Sequence, residues 1–150
     1  MTTSVKTVLN VTSPAFVNEG MIPAIYTCKG ENINPPLRIG EIPNETISMV
    51  LIVEDPDAPG KIFDHWLVWN IPKIEMIEQN SVPGKVGRNS KGQNKYTGPC
   101  PPSGTHRYFF KLFALNTLLQ LDESATKIDV FKAMQSHIVA YGEIMGLYKK

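Results

Sequence analysis

Three short clusters of polar residues have side chains that could bind an anion or transfer protons. The first is 54–59 (EDPDAP), the second is 64–66 (DHW), and the third is 96–108 (YTGPCPPSGTHRY), which contains His106 and Tyr108. Each cluster lies where an apolar run begins or ends, which is where β-rich proteins carry their binding loops. Carboxylates, imidazoles and a phenol in one place can exchange protons or hydrogen-bond a ligand.

The proline-rich segment 98–102 is stiff before any ligand arrives. Proline holds φ at about −65° and has no N–H, so such a loop loses little entropy on binding. Within 99–102 only Cys100 has a backbone N–H, and this donor could meet an anion oxygen. His106 and Tyr108 are two residues apart in the apolar run that follows, so they are predicted to share one face of a strand.

The sequence leaves the protonation states of these groups open. Tyr108 can donate its O–H, and His65 can donate an N–H as the right tautomer or as imidazolium. A carboxylate of Asp55 or Asp57 next to His65 would favour the imidazolium, whereas a protonated aspartic acid could itself donate a hydrogen bond. Asp57 could instead cap its own turn, and His106 could brace Tyr108 from behind.

The elements that must position these clusters are predicted to be strands. Apolar and β-branched runs predict strands over 5–11, 47–53, 63–71, 107–115 and 138–148, with 22–28 as an edge strand or extended segment. A rigid turn at 34–36 leads into 37–39. The segment 79–104, rich in Gly, Pro, Asn and Ser, is predicted to be a long loop. Alternation in the strand 63–71 predicts one face formed by Phe63, His65, Leu67, Trp69 and Ile71. Trp66 and Trp69 are then core residues on opposite faces.

One helix is predicted, near the C-terminus. Thr126 and Asp129 have the spacing of a capping box, Ile128, Phe131 and Met134 recur every three residues, and the helix should end near His137. Two glycines in the last strand predict close packing there. Many short strands with one late helix indicate a mainly β protein, a β-sandwich in one domain spanning 1–150.

Composition and cysteine content exclude several function classes. With 15 Lys and Arg against 14 Asp and Glu, and no basic block, we expect no nucleic-acid partner. No apolar run approaches the about 20 residues of a membrane span. The N-terminus shows no signal peptide, so the protein is predicted to be cytoplasmic. In that compartment Cys28 and Cys100 should be free thiols.

Common catalytic and nucleotide-binding motifs are missing. There is no GxSxG elbow, P-loop or Rossmann fingerprint, so the sequence favours a binding protein over an enzyme, and we expect no cofactor. Two histidines and two aspartates could bind zinc, but no HxH or HExxH spacing supports a metal site.

In combination, the clusters resemble a known family. The segments DPDAP, FDHWLVWNIP, GPCPPSGTHRYFFKLFAL and the closing HIVAYGEIMGLY are similar to those of the phosphatidylethanolamine-binding protein family, also called Raf kinase inhibitor-like. The residues of these segments resemble most the bacterial and archaeal branch of the family, which is called YbhB/YbcL-like. The resemblance implies a two-sheet antiparallel Greek-key β-sandwich with a small pocket for phosphate-like anions. By position, the pocket residues would be Asp55, Pro56, Asp57, His65, Gly98, Cys100, Pro101, Pro102, His106 and Tyr108.

Two departures from the animal members weaken any transfer of lipid or Raf binding. The spacer between Pro102 and His106 is shorter, and the chain ends directly after the last predicted strand, where animal members continue into a helix that forms one wall of the pocket. Uncovered apolar surface at that end, together with the branch resemblance, favours a homodimer.

The leading functional hypothesis is a binding protein without enzymatic activity. It would take a small anion or phosphorylated ligand and modulate a kinase or a protease. The alternatives are a phospholipid-headgroup binder or carrier, a protease inhibitor acting through a surface loop, and a hydrolase using Asp55 and His65. The nearest candidate nucleophile for a hydrolase is Ser103.

Overall fold

The computed structural model describes residues 7–150. It is mainly β, with one helix near the C-terminus, as predicted. The strands are β1 (Thr7–Val8), β2 (Asn10–Thr12), β3 (Leu37–Gly40), β4 (Ser48–Asp55), β5 (Phe63–Ile71), β6 (Met76–Ile77), β7 (Lys85–Val86), β8 (Thr105–Leu115) and β9 (Ile138–Lys149), and the helix is α1 (Lys127–Met134). The predicted first strand, 5–11, is divided between β1 and β2, and its residues 5–6 lie outside the described part.

Two sheets form the fold. The larger has the order β1-β9-β8-β4-β5-β7 and the smaller the order β2-β3-β6. The strand pairs are antiparallel except β1 with β9, which run parallel. All eight residues of β4 are buried, since the strand lies inside the sheet and both its faces are covered. This confirms the reading of the run 47–53 as a strand buried on both faces.

The larger sheet separates two hydrophobic clusters. One face packs against the smaller sheet and forms the main core, to which Leu51 and Val53 belong. The other face packs under α1 and forms the helix-side core, to which Val50 and Ile52 belong. Successive residues of β4 thus alternate between the two cores, as strand geometry requires.

Strand β5 breaks this alternation, and the prediction of one face for 63–71 is wrong. Val53 is opposite Trp66 and Glu54 is opposite Asp64, so His65 is an extra residue in β5, a β-bulge. Leu67 and Trp69 lie in the helix-side core. The bulge turns His65 away from that core. A second irregularity follows at Asn70, whose φ is 54°, and Ile71 returns to the main core. Trp66 and Trp69 lie in different cores, as predicted.

The helix α1 begins as predicted and ends earlier. The capping box of Thr126 and Asp129 is formed, and the helix ends at Met134 rather than near His137. The buried face consists of Val130 and Met134, whereas Ile128 is 64% exposed. Of the predicted repeat, Met134 is therefore buried as expected, but Ile128 is not. In the described part of the chain, no helix is long and apolar enough to cross a membrane.

Two predicted segments take a different form. The segment 22–28 is not a strand: it contains a 3₁₀ turn over Ala24–Tyr26, and the chain just before it pairs with β9 at an isolated bridge between Met21 and Leu147. The loop 79–104 is mostly irregular, as expected, but includes the two-residue β7, which pairs with β5.

The glycines of β9 lie where other chain segments approach closely. A Cβ at Gly142 would be 2.2 Å from the Leu9 carbonyl oxygen, and one at Gly146 would be 2.5 Å from the Ile22 side chain. The first neighbour is backbone, which cannot move without disturbing β1 and β2. The second is a side chain that can change rotamer.

Gly142→Ala is therefore expected to lower the free energy of unfolding by about 1–3 kcal/mol and Gly146→Ala by less. Urea denaturation of both variants and the wild type measures the difference. Equal losses, or a larger loss for Gly146→Ala, would contradict this account of the packing.

Candidate anion-binding site

The sheet order brings the three polar clusters to one edge of the main core. Strands β8, β4 and β5 are neighbours, and antiparallel pairing places the end of β4 beside the starts of β5 and β8. A cavity of about 390 Å³ opens at this point, within the range of small-molecule sites. Asp55, His65 and Tyr108 all line it, so residues far apart in the sequence converge as expected.

Most of the residues predicted for the pocket line this cavity. They are Asp55, His65, Gly98, Cys100, Pro101, Pro102, His106 and Tyr108. Pro56 and Asp57 do not line it and lie in the turn beyond β4.

Asp55 is held by the protein through both of its carboxylate oxygens. The His106 Nδ1–H donates to Asp55 Oδ2 over 2.6 Å, and the Asp57 backbone N–H donates to Asp55 Oδ1 over 2.8 Å. Asp55 and His106 are both buried. The carboxylate is thus partly neutralised within the protein, which reduces its repulsion of an anion. With Nδ1 used, His106 has Nε2 left for a ligand.

Asp57 has a structural role outside the cavity. Its carboxylate accepts hydrogen bonds from the Arg107 backbone N–H at 2.9 Å and from the guanidinium at 3.0 and 2.9 Å. These hydrogen bonds lower the pKa of Asp57 to about 2. This ion pair connects the 55–57 turn to the start of β8. Because the Arg107 guanidinium is paired with Asp57, its charge is already compensated within the protein.

His65 is directed into the cavity by the bulge in β5, and one hydrogen bond fixes its tautomer. Its Nδ1 is 2.6 Å from the carbonyl oxygen of Thr97. A carbonyl oxygen can only accept, so Nδ1 carries the proton and Nε2 is left for a ligand. Burial lowers the pKa of His65, although the Thr97 bond and the charges of Asp55 and Asp64 act in the opposite direction. The neutral ring therefore offers a hydrogen-bond acceptor at neutral pH.

The hydroxyl of Tyr108 has no hydrogen-bond partner among the described residues although it is buried. The side chain is only 1% exposed, and its ring stacks on His106 and meets the edge of His65 at 5.3 Å between centroids. Burial, and after it the charge and the nearby carboxylate oxygens of Asp55, raises the pKa of Tyr108, while the Cys100 backbone N–H acts in the opposite direction. Both groups lie near the hydroxyl, but neither meets the geometry of a hydrogen bond to it. Tyr108 stays protonated, and an unpaired buried donor faces the cavity.

The proline-rich loop is fixed by hydrogen bonds as well as by its prolines. The Tyr96 hydroxyl donates to the Tyr26 carbonyl over 2.7 Å, and the Gly98 N–H donates to Asn32 Oδ1 over 2.7 Å. A Cβ at Gly98 would be 2.2 Å from the Tyr26 carbonyl oxygen, so only glycine fits. The N–H of Cys100 is not used in these bonds, and it lies near enough to Tyr108 to affect the pKa of that residue.

The expectation of free thiols is wrong, because Cys28 and Cys100 form a disulfide. Both cysteines are exposed and line the cavity. The Cys28 N–H also donates to the Pro99 carbonyl over 3.1 Å. The thiol prediction rested on compartment alone, and no spacing rule relates two cysteines 72 residues apart. The bridge joins the proline-rich loop to the segment after the 3₁₀ turn.

Seven lining residues were not named as site residues from the sequence, although Ala58, Pro59 and Thr97 lie within the predicted clusters. They are Cys28, Asn32, Ala58, Pro59, Phe63, Lys91 and Thr97. Phe63 and Thr97 adjoin predicted site residues, so strand alternation and loop continuity could have found them. Asn32 and Lys91 come from separate loops and carry no local signal. Among residues 7–150, no three His, Cys, Asp or Glu side chains are arranged to hold a metal ion.

These features define a two-sheet β protein with a narrow pocket lined by imidazole, phenol and proline. A family model described as phosphatidylethanolamine-binding protein matches residues 12–149. The chain therefore belongs to the phosphatidylethanolamine-binding protein family.

Curated relatives match over almost the whole chain. A UPF0098 protein of Methanothermobacter thermautotrophicus is 45% identical over 150 residues, which cover 95% of this chain and 99% of that protein. A UPF0098 protein of Aquifex aeolicus is 43% identical over 153 residues, covering 95% and 90% of the two chains.

Two solved structures share the fold. The first is described as a phosphatidylethanolamine-binding protein homologue, CT736, of Chlamydia trachomatis. Its TM-score is 0.92 at 38% identity, covering 97% of this chain and 99% of that one. Escherichia coli YbcL, described as a new member of the mammalian family, has a TM-score of 0.86 at 28% identity, covering 95% and 98%.

Replacing both cysteines by serine is expected to lower the free energy of unfolding by about 2–5 kcal/mol, because the bridge closes a long loop in the unfolded chain. Urea denaturation measures the loss, and the wild type in reductant should show a similar one. Titration of native unreduced protein that finds two free thiols would contradict the bridge.

Proposed function

We propose that the pocket binds a phosphate-like anion that carries hydrogen on at least one oxygen. The observation that carries the proposal is the buried Tyr108 hydroxyl, which has no protein partner and lines the cavity. An unsatisfied buried polar group costs about 1–3 kcal/mol, and a ligand oxygen would remove that cost. The Cys100 N–H is a second donor close to Tyr108.

The acceptor side of the site supports the same ligand. His65 Nε2 accepts a hydrogen bond when the ring is neutral, so it suits a ligand hydroxyl. Phosphate and its monoesters offer both an ionised oxygen and, in their monoprotonated form, a hydroxyl. A fully ionised oxyanion would instead require His65 to take up a proton.

The rigidity of the site supports binding rather than catalysis. Prolines, a disulfide and paired hydrogen bonds fix the loop over 96–102, so little order must be gained when a ligand enters. The cavity volume of about 390 Å³ is near the low end of small-molecule sites, which favours a headgroup or a free anion over an enclosed acyl chain.

Hydrolysis is the second candidate, favoured by the Asp55–His106 pair. An imidazole oriented by a buried carboxylate is the arrangement of a general base, here with His106 Nε2 facing the cavity in place of the predicted His65. Turnover of a phosphate-ester panel by the wild type, lost in His106→Ala, would favour this candidate over simple binding.

Three expectations stay predictions from the sequence: the homodimer, the kinase or protease target, and the cytoplasmic location.

Tyr108→Phe is expected to weaken phosphate binding by about 0.5–3 kcal/mol, the range for one hydrogen bond to an ionised group. The fold should be kept, because the lost hydroxyl has no protein partner. Calorimetric titration of inorganic phosphate into both proteins measures the change, and Tyr148→Phe serves as the matched control, since Tyr148 does not line the cavity. Unchanged affinity in Tyr108→Phe would place the ligand elsewhere.

The neutral His65 predicts a preference for phosphate over sulfate at pH 7.5, because sulfate is fully ionised and cannot donate to Nε2. The folded pKa of His65 lies below the ordinary value of about 6.5, so the ring becomes a donor only as the pH falls below that value. Sulfate affinity should therefore rise on acidification, and His65→Gln should lose this dependence. Equal affinities for the two anions at pH 7.5, or a sulfate affinity independent of pH, would contradict the assigned tautomer.

A further inference from the structure

Lys91 is the one lysine or arginine that lines the cavity within residues 7–150. It is exposed, so it lies at the edge of the cavity, and its charge contributes to lowering the pKa of the His65 ring. The part of the chain that the structure describes contains no ion pair of Lys91.

Four other cations of the described chain make contacts of their own and do not line the cavity. Arg107 is paired with Asp57, and Lys111 and Lys127 are paired with Glu54. Lys29 lies over the Tyr148 ring at 5.5 Å from its centroid. Among the described residues, Lys91 is the lysine or arginine of the cavity lining, so its charge can act on a group that projects from the cavity.

The backbone of Lys91 is fixed although its side chain is free. Asn89 Oδ1 accepts hydrogen bonds from the N–H groups of Lys91 at 2.9 Å and Gln93 at 3.0 Å, and Asn89 Nδ2 donates to the Lys95 carbonyl at 2.9 Å. The adjacent Ser90 N–H donates to the Asp64 carbonyl at 2.9 Å. This turn fixes the backbone of Lys91 at the cavity, and the residue itself is exposed.

No carboxylate offsets Lys91 at the cavity. Asp55 is the one Asp or Glu that lines it among the described residues, and that carboxylate is bonded to His106 and to the Asp57 N–H. Asp64 is paired with Lys127 at 2.7 Å. A positively charged group projecting from a bound phosphoryl would therefore meet a cation and no free anion.

We propose that Lys91 sets the specificity of the pocket for phosphomonoesters whose substituent is neutral or anionic, and disfavours those that carry an ammonium group. This inference rests on the proposed function, since it assumes that a phosphoryl group occupies the cavity. It runs against the ethanolamine headgroup in the family's name, because Lys91 would repel an ammonium group that projects past it.

The test compares two phosphomonoesters, glycerol 3-phosphate and O-phosphorylethanolamine, by calorimetry at low salt and at a pH below about 6, the second pKa of a phosphomonoester, so that the phosphoryl group of each carries a proton. The wild type should bind glycerol 3-phosphate more tightly. Lys91→Ala should reduce this preference by about two- to fivefold, the range for one exposed charge pair, and Lys91→Glu should reduce it further or reverse it. Added salt should diminish the preference.

Lys95→Ala is the matched control, because it removes a lysine of the same loop that does not line the cavity and leaves the carbonyl that Asn89 uses. Its preference should equal that of the wild type. A wild type that binds O-phosphorylethanolamine at least as tightly, or a ratio unchanged in both Lys91 variants, would overturn the inference while leaving the site intact. Absence of inorganic phosphate binding would overturn the proposed function and this inference with it.

Discussion

The bulge at His65 is the constraint on which the site depends. Strand β5 pairs with β4 along most of its length, and regular alternation would direct His65 toward the helix-side core with Leu67 and Trp69. The additional residue opposite Val53 and Glu54 reverses the face of the strand between His65 and Leu67. The imidazole thereby reaches Tyr108, while the strand still fills the helix-side core farther along. Bulges are frequent next to functional sites for this reason.

Charge within the site is balanced before any ligand is present. Asp55 is a carboxylate in a pocket proposed for an anion, and its two oxygens accept bonds from His106 and from the Asp57 N–H. Asp57 is in turn occupied by Arg107. The groups left for a ligand are the Tyr108 hydroxyl, Nε2 of His65 and His106, the Cys100 N–H and, at the edge, the Lys91 ammonium. This set suits a partly protonated oxyanion better than a cation.

Strong local signals made much of the fold predictable. The apolar runs located β4, β5, β8 and β9 closely, and the motif resemblance found eight of the lining residues. The failures were non-local: no alternation rule reveals the bulge at His65, and no spacing rule pairs Cys28 with Cys100. Lys91 reaches the cavity because Asn89 folds its loop, which is a tertiary effect. The alternative prediction, that Asp57 caps its own turn, was also wrong. The side chain that accepts the hydrogen bond of this turn is Asp55, whereas Asp57 binds Arg107.

The central claim is that His65, neutral and protonated at Nδ1, meets the ligand through Nε2. Long-range ¹H–¹⁵N NMR of the imidazoles at pH 7.5 tests this directly while inorganic phosphate is added. The account predicts the Nδ1–H tautomer for His65 in the free protein and a change at its Nε2 on binding, with His137, which contacts Asn116, unaffected. An Nε2–H tautomer in the free protein, or a His65 ring that phosphate leaves unchanged, would contradict it.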